Sequence, residues 1–386
     1  MKVNYLIKFY RYYFFILKKI NKFKKQKPLL DLNKNLHKLL IIQLQNIGDS
    51  LIFLPTLKAI SENYPKCKID VLANRTSYEI YKNNLYIQKI ITLKDWKVKK
   101  NDFHLCITNF ILSLFLLKKK KYDCILLDAN HTHYAYGILS HLIGAKYRIG
   151  FQLFYANNYL THTHNIQKNE NLNYLEANLY IARFFNISKK IEKRIIFNYS
   201  KSDINYVDKI LPYSKNSFFI GLNIFAKKPV CQWPLINFSL LIKKILLKFP
   251  LATIILLGKN DKNKYPINEF INPSKKIINL IDKTSLQQFC FILSKLKLFV
   301  TLDTGPMHLC SHHNTKTLCL LSGIDYKSNW TYKYKGYQTI QHFQPCSPCN
   351  QIECPNQTYK CINSISINEV FEKITNMLNI HNLIEK

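Results

Sequence analysis

The run Leu39–Leu44 (LLIIQL), followed by Gln45-Asn46-Ile47-Gly48-Asp49-Ser50 and then by apolar periodicity as far as Asn63, decides how this chain is read. Six residues without polar alternation fit a strand buried on both faces. The next stretch, Ser50–Asn63, has helical spacing. The same alternation continues with strand Ile69–Leu72, a short helix near Ser77–Lys82, strand Lys89–Leu93, strand Cys124–Leu127 closing on Asp128, and a helix around Tyr134–Ile143. A long helix is expected over Asn171–Phe185. The polar, irregular stretch 186–216 then separates a second series. That series has strand Phe218–Asn223, helix Leu235–Lys248, strands Thr253–Leu257 and Ile277–Leu280, helix Leu286–Leu296, strand Leu298–Leu302, helix Pro306–His313, strand Thr317–Leu321 and a last helix near Ile367–Leu378. Strand–helix alternation implies parallel sheets covered by helices on both faces. The expectation is therefore an α/β protein with two doubly wound domains, 39–200 and 201–386, facing a cleft. The two halves share no obvious sequence repeat.

The chain has 386 residues, of which 47% are apolar, so packed domains are expected rather than disorder. Its net charge of +33 favours anionic partners. A Lys/Asn/Ile-rich, Gly-poor composition can produce much of that charge, and no nucleic-acid-binding motif accompanies it, so nucleic acid is not expected as a partner. The apolar start is broken by Lys8 and Arg11 and lacks a small-residue cleavage site, and no apolar stretch reaches membrane-span length. The expected location is cytoplasmic. Most of the eleven cysteines are then expected as reduced thiols, with Cys67 and Cys124 as small core residues.

Residues 1–38 read as a separate arm. Lys8, Arg11, Lys18, Lys22 and Lys25 share one side at helical spacing, roughly opposite Leu6, Phe9, Tyr13, Ile16, Leu17 and Ile20. This basic amphipathic helix suits either an anionic membrane surface or the protein's own body.

Several segments carry possible chemistry. Asp303-Thr304-Gly305-Pro306-Met307-His308 follows an apolar strand and opens a helix, whose start carries partial positive charge and can hold a phosphate. Gly305 permits close backbone approach, Pro306 suits the first turn, Thr304 offers a hydroxyl and His308 a donor or a charge. Asp303 would repel a diphosphate and reads as a cap, or as a partner for ribose, a lysine or sugar. An ordinary capped helix is the alternative. Asp49, after Gly48, reads either as a general base at a strand's carboxyl end or as the cap of the following helix. Asn223, Lys227 and Lys228 begin the segment NIFAKKPVCQWP, where the lysines could meet phosphate or simply be solvated. Gly258-Lys259-Asn260-Asp261 is a turn that could contact a nucleoside. Cys346-x2-Cys349-x4-Cys354-x6-Cys361 resembles a structural zinc site in its first pair; reduced thiols stabilising a loop or a redox-labile cluster are the alternatives. No Asp-x-Asp occurs, so a metal held on a donor diphosphate by paired carboxylates is not expected.

In this order the segments resemble glycosyltransferase family 9, the lipopolysaccharide heptosyltransferases. The matching pieces are Gly48-Asp49, Leu54-Pro55, Trp233-Pro234, Lys283-Thr284-Ser285-Leu286, the intact Asp-Thr-Gly-Pro-x-His at Asp303–His308, and the late cysteines. The resemblance covers about 39–380 and leaves the arm out. It implies a GT-B fold of two Rossmann-like domains, with the acceptor on the first and an ADP-sugar on the second. It also implies inverting transfer that requires no cofactor in catalysis. Asp49 then falls on the catalytic base, while Asp303, Thr304, Gly305 and His308 fall on the donor-binding loop, and Asp261 near an acidic group contacting the nucleoside. The implied partners are a nucleotide-sugar donor, a lipid-linked saccharide acceptor of lipopolysaccharide-core type, and the inner face of an anionic membrane. The chain departs from the family at Cys231, where a lysine usually contacts the donor phosphate; Lys227 or Lys228 is expected to take over. Other nucleotide sugars serving a capsule or another glycoconjugate, or a non-catalytic basic binding protein of this fold, are the rival expectations.

Overall fold

The structure, a computed structural model, describes residues 36–92, 112–129, 134–151, 159–164, 173–187, 191–211, 213–214, 216–260, 267, 271, 274–326 and 334–379. The arm up to residue 35 and Asp261 lie outside the described residues.

The strands of the first domain are β1 (Lys38–Gln43), β2 (Lys68–Ala73), β3 (Lys89–Thr92), β4 (Cys124–Leu127), β5 (Tyr147–Phe151) and β6 (His162–His164). Its helices are α1 (Ile47–Asn63), α2 (Arg75–Tyr81), α3 (112–119), α4 (Tyr134–Ile143) and α5 (Tyr174–Ile181). After the linker come α6 (Lys201–Ile210), β7 (Phe219–Asn223), α7 (Leu235–Lys248), β8 (Thr253–Leu257), β9 (Ile277–Asn279), α8 (Leu286–Leu293), β10 (Leu296–Leu302), α9 (Pro306–His313), β11 (Thr317–Leu321), β12 (Tyr337–Gln341), α10 (Lys360–Asn363) and α11 (Ile367–Asn379).

The sheets run β3-β2-β1-β4-β5-β6 and β12-β11-β10-β7-β8-β9, with every pairing parallel. Counted from its own first strand, each sheet has the same order. The halves therefore repeat a topology without repeating a sequence. Apolar residues that fill both faces of a central strand are enough to bury it, and many side-chain combinations do so.

The two domains also share one apolar cluster. It joins Leu39, Ile41, Leu51 and Leu57 of the first sheet and α1 to Phe289, Phe299 and Leu309 of the second domain, through Ile195 and Phe197 of the linker. A second core on the outer side of the second sheet surrounds Trp233 and Phe238.

Five elements in particular differ from the sequence expectation. Helix α1 begins at Ile47, not Ser50, because Asn46 takes the cap position, its N–H donating to Asp49 Oδ2 at 3.2 Å. The supposed irregular stretch contains α6, nucleated by Ser200 and Asp203: Ser200 N–H donates to Asp203 Oδ2 at 2.9 Å, and Asp203 N–H to Ser200 Oγ at 3.2 Å. Its single fully buried residue, Val207, leaves little apolar signal. Strands β6 and β12 lie at sheet edges and β5 next to one, all short or with polar residues at sheet positions.

Trp233 is fully buried, its Nε1–H donates to the Ile365 carbonyl at 3.0 Å, and its ring meets Phe238 edge-on at 4.8 Å. Trp233→Ala is expected to cost about 3–5 kcal/mol through the lost contacts and the cavity left behind. Equilibrium denaturation measures this; a loss below about 1 kcal/mol would contradict the packing described.

Candidate active site

Ligand crevices in open α/β sheets lie beyond the strand carboxyl ends, where the strand order reverses. Here those points fall between β1 and β4 in one domain and between β7 and β10 in the other. Glycine-containing turns leave β1 and β10, and the two turns touch. A Cβ on Gly48 would lie 2.9 Å from His308 Nε2, and one on Gly305 would lie 2.8 Å from Ile47 Cγ2. Real Cβ contacts are longer, so only hydrogen fits at either position. The contact sets the starts of α1 and α9 against one another. Each helix start carries a partial positive charge, so an anion placed between them is favoured from both sides.

Asp49 sits in the first turn of α1 and is oriented by the Asn46 N–H. Its charge, with that of Asp128, raises the pKa of Tyr136 after burial has already done so; with Asp325 it does the same at Tyr174. The carboxylate thus braces the helix start, as the cap reading expects, and its charge reaches Tyr136 and Tyr174. Asp325, which follows β11, lies across the cleft from Tyr174 of α5.

The loop after β10 is tied to β7. Asn223 Nδ2 donates to Thr301 Oγ1 at 3.1 Å and to Thr304 Oγ1 at 3.0 Å, and the Thr304 hydroxyl donates to Leu302 O at 3.3 Å. The Thr304 hydroxyl thus makes its hydrogen bonds within the loop and to β7. Asn223 positions that loop. His308 is buried, and desolvation pushes its pKa down to about 3, so it stands as a neutral imidazole and supplies no charge at neutral pH. Asp303 is half-buried; burial pushes its carboxyl up to about 6, with Lys228 pulling it down and Asp325 adding a further rise.

Cys231 is fully buried, its sulfur 3.4 Å from Ser322 Oγ and 4.0 Å from Asp303 Oδ2. Burial first, and Asp303 second, push its thiol up to about 12, so the position is neutral. Lys227 and Lys228 are both exposed, and it is Lys228 whose charge acts on Asp303 and Cys231.

The late cysteines do not form a described set of converging ligands. Cys346 is exposed, Cys349 half-buried, and Cys354 and Cys361 buried, all as free thiols. Among the described residues, the Cys/His/Asp/Glu group whose ligand atoms converge is Cys290, His312 and His313. The reason is local: Cys354 Sγ accepts from the Tyr359 N–H at 3.3 Å, and Cys361 packs beside Gly323.

Sequence reading assigned no role to Gln43, Asp128 or Asp325. Gln43 Nε2 donates to Asp128 Oδ2 at 2.6 Å, both buried at the carboxyl ends of β1 and β4. A signal was present, since Asp128 follows an apolar strand just as Asp303 does. Asp325 had none, because only the folding of β11 against the cleft brings it near.

Residues 115–360, more than half of the chain, match the model of glycosyltransferase family 9 (heptosyltransferase). Lipooligosaccharide heptosyltransferase 2 of Campylobacter jejuni is 28% identical over 103 residues, covering 27% of this chain and 32% of that protein. The match thus spans about a third of that relative's length. Lipopolysaccharide heptosyltransferase 3 of Escherichia coli is 22% identical over 292 residues, covering 72% of this chain and 82% of that protein. The structure of E. coli ADP-heptose lps heptosyltransferase II superposes with a TM-score of 0.68 at 17% identity, covering 89% of this chain and 99% of that one. That likeness establishes the two-domain fold.

The two buried groups titrate in opposite senses. Folded His308 stays neutral while the unfolded chain takes up a proton between about pH 6.5 and 3, so stability falls as pH drops through that window. Asp303 holds its proton in the fold up to about 6, above its unfolded value of 3.8, so its contribution is lost as pH rises through that interval. His308→Gln is expected to flatten the rise of stability with pH and Asp303→Asn to steepen it, each by at most about 1.4 kcal/mol per pH unit. Chemical denaturation from pH 4 to 7 tests this; slopes equal to the parent's in both variants would contradict it.

Proposed function

We propose that this chain, which belongs to glycosyltransferase family 9, is an inverting transferase that moves heptose from ADP-heptose to a lipopolysaccharide-core acceptor without a metal in the chemical step. The observation that carries the reading is the contact of the two helix starts at Gly48 and Gly305, with Asp49 in the same turn. A diphosphate there meets two partial positive charges and Lys228, and an acceptor hydroxyl on the first-domain side meets a carboxylate. The heptosyltransferase names of its relatives support the sugar, and the name of the E. coli structure supports the nucleotide.

The reaction is a single displacement. Asp49 takes the proton from the acceptor hydroxyl as that oxygen bonds to the anomeric carbon. The bond from that carbon to the diphosphate oxygen breaks on the opposite face, and its electron pair leaves with ADP. The start of α9 and Lys228 offset the growing charge, the kind of preorganised stabilisation that commonly supplies the largest part of rate enhancement. His308 acts as a neutral wall and hydrogen-bonding group. Asn223 holds Thr304, and through it the loop; Lys228 offsets the charge of Asp303 beside the diphosphate. In this reading Asp261 meets the nucleoside.

Cys231 favours a second reading within the same chemistry. A neutral, buried thiol cannot replace a lysine at the donor phosphate, so a donor other than ADP-heptose fits a phosphate site rebuilt around Lys228. Incubation with ADP-, UDP- and GDP-sugars and lipid-linked core acceptors, with and without a chelator, followed by mass analysis of the product, decides between them. Transfer from ADP-heptose that survives chelation is expected; binding without turnover on any acceptor would indicate a non-catalytic binding protein. We further propose a cytoplasmic protein, peripheral on the inner membrane face through residues 1–38.

Asp49→Ala is expected to lower kcat by about 10²–10⁴ while leaving nucleotide affinity within about threefold; full turnover would remove Asp49 from the base role. Lys228→Ala is expected to weaken nucleotide binding at least about tenfold, and Lys227→Ala to leave it nearly unchanged, as read by calorimetry with ADP. Deleting residues 1–30 is expected to reduce sedimentation with anionic vesicles, and equal sedimentation would refute the membrane role of the arm.

A further inference from the structure

At the far end of α9 from the donor loop, three soft or borderline ligands meet outside the site described above. Cys290 comes from α8, and His312 and His313 close α9; one ligand atom from each lies within 4.8 Å of the others. The rings of the two histidines are 4.3 Å apart, edge to face at 71°. His313 Nε2 is buried and has no hydrogen-bond partner, while the same ring makes a backbone hydrogen bond to Cys290. His312 Nδ1 lies 3.1 Å from the Ile195 carbonyl and 3.3 Å from the Phe197 nitrogen.

This is the arrangement that metal-binding histidines use. In His313 one ring nitrogen is fixed by the backbone and the other keeps its lone pair for the ion; His312 does the same in the tautomer whose Nδ1–H donates to the Ile195 carbonyl. An orphaned buried nitrogen costs about 1–3 kcal/mol unless it gains a partner, and a metal would supply one. Tyr199 packs against both histidine rings and against Phe291, shielding one side. Both histidines are half-exposed, which leaves a path for entry.

We propose that Cys290, His312 and His313 bind a single borderline divalent cation, zinc being the best fit to one thiolate and two imidazoles. Such ligands disfavour magnesium and calcium, which take oxygen donors. Arg194 and Lys295 act on His313 and oppose added positive charge, so deprotonation of Cys290 on binding is required to offset it. Zinc–nitrogen and zinc–sulfur bonds near 2.0–2.3 Å place tetrahedral ligand atoms roughly 3.3–3.8 Å apart, so the three groups need close by no more than about 1–1.5 Å. Two histidines and a thiol leave one position of a tetrahedral ion for water or a further ligand. The bound ion ties α8 to α9 and so stiffens the helix whose start carries the donor loop.

The test uses the full chain carrying Cys346→Ser and Cys349→Ser, stripped with a chelator and titrated with cobalt(II), with zinc as competitor. One cobalt per chain is expected, with a thiolate-to-cobalt charge-transfer band that zinc abolishes. Cys290→Ala is expected to remove the band, and His313→Gln to weaken cobalt binding beyond the roughly 10–100-fold that loss of an outer-shell partner costs. Circular dichroism checks that each variant folds. Should Cys290→Ala not fold, His313→Gln decides alone, since that side chain is half-exposed. No charge-transfer band in the doubly substituted parent, or a band and affinity unchanged in His313→Gln, would overturn the proposal. Neither outcome depends on sugar transfer, so the site stands or falls separately from the catalytic reading.

Discussion

The two domains of this protein meet through two glycines. Gly48 and Gly305 lie where a single Cβ would drive Ile47 or His308 away, and this lets two helix starts come into contact. Like partial charges at that distance repel in a low-dielectric interior. Acidic groups on both sides offset the repulsion: Asp49 in the first turn of α1, and Asp303 and Asp325 on the second domain. The same geometry makes the site ready for a ligand more negative than any of them.

Each domain prepares its switch point in a similar way. In the first, the amide of Gln43 at the end of β1 is tied to Asp128 at the end of β4. In the second, the amide of Asn223 at the end of β7 is tied to Thr301 and Thr304 at the end of β10. Both bonds cross the reversal in strand order and hold the two loop-bearing strands in register. Burial makes them stiff, since a broken partner there would be left without water.

Charge is distributed differently inside and outside the cleft. The chain carries a formal net charge of +33, yet His308 and Cys231 are neutral and Asp303 is pushed toward its protonated form. Lys228 acts on Asp303 and Cys231 from an exposed position. The bulk positive field can therefore gather anionic ligands at long range, while the local site discriminates by desolvation and hydrogen bonding.

Much of the fold was legible in the chain. Strand β4, helix α7, strand β8, helix α9 and strand β11 fall at the residues expected from apolar runs and turn residues. Those runs are apolar on the buried side and flanked by polar or turn residues, so local sequence fixes them. The elements missed, α6 and strands β5, β6 and β12, bury little or carry polar residues, and their existence depends on a neighbour already in place. The site divides along the same line. The sequence determined that Gly48-Asp49 and Asp303–His308 each open a helix after a buried strand. Only the tertiary structure decided that these two turns touch, that His308 is neutral, that the Thr304 hydroxyl serves its own loop, and that Cys290 lies beside His312 and His313. Contact and desolvation are properties of segments brought together across hundreds of residues, and no local pattern encodes which partner a buried group will meet.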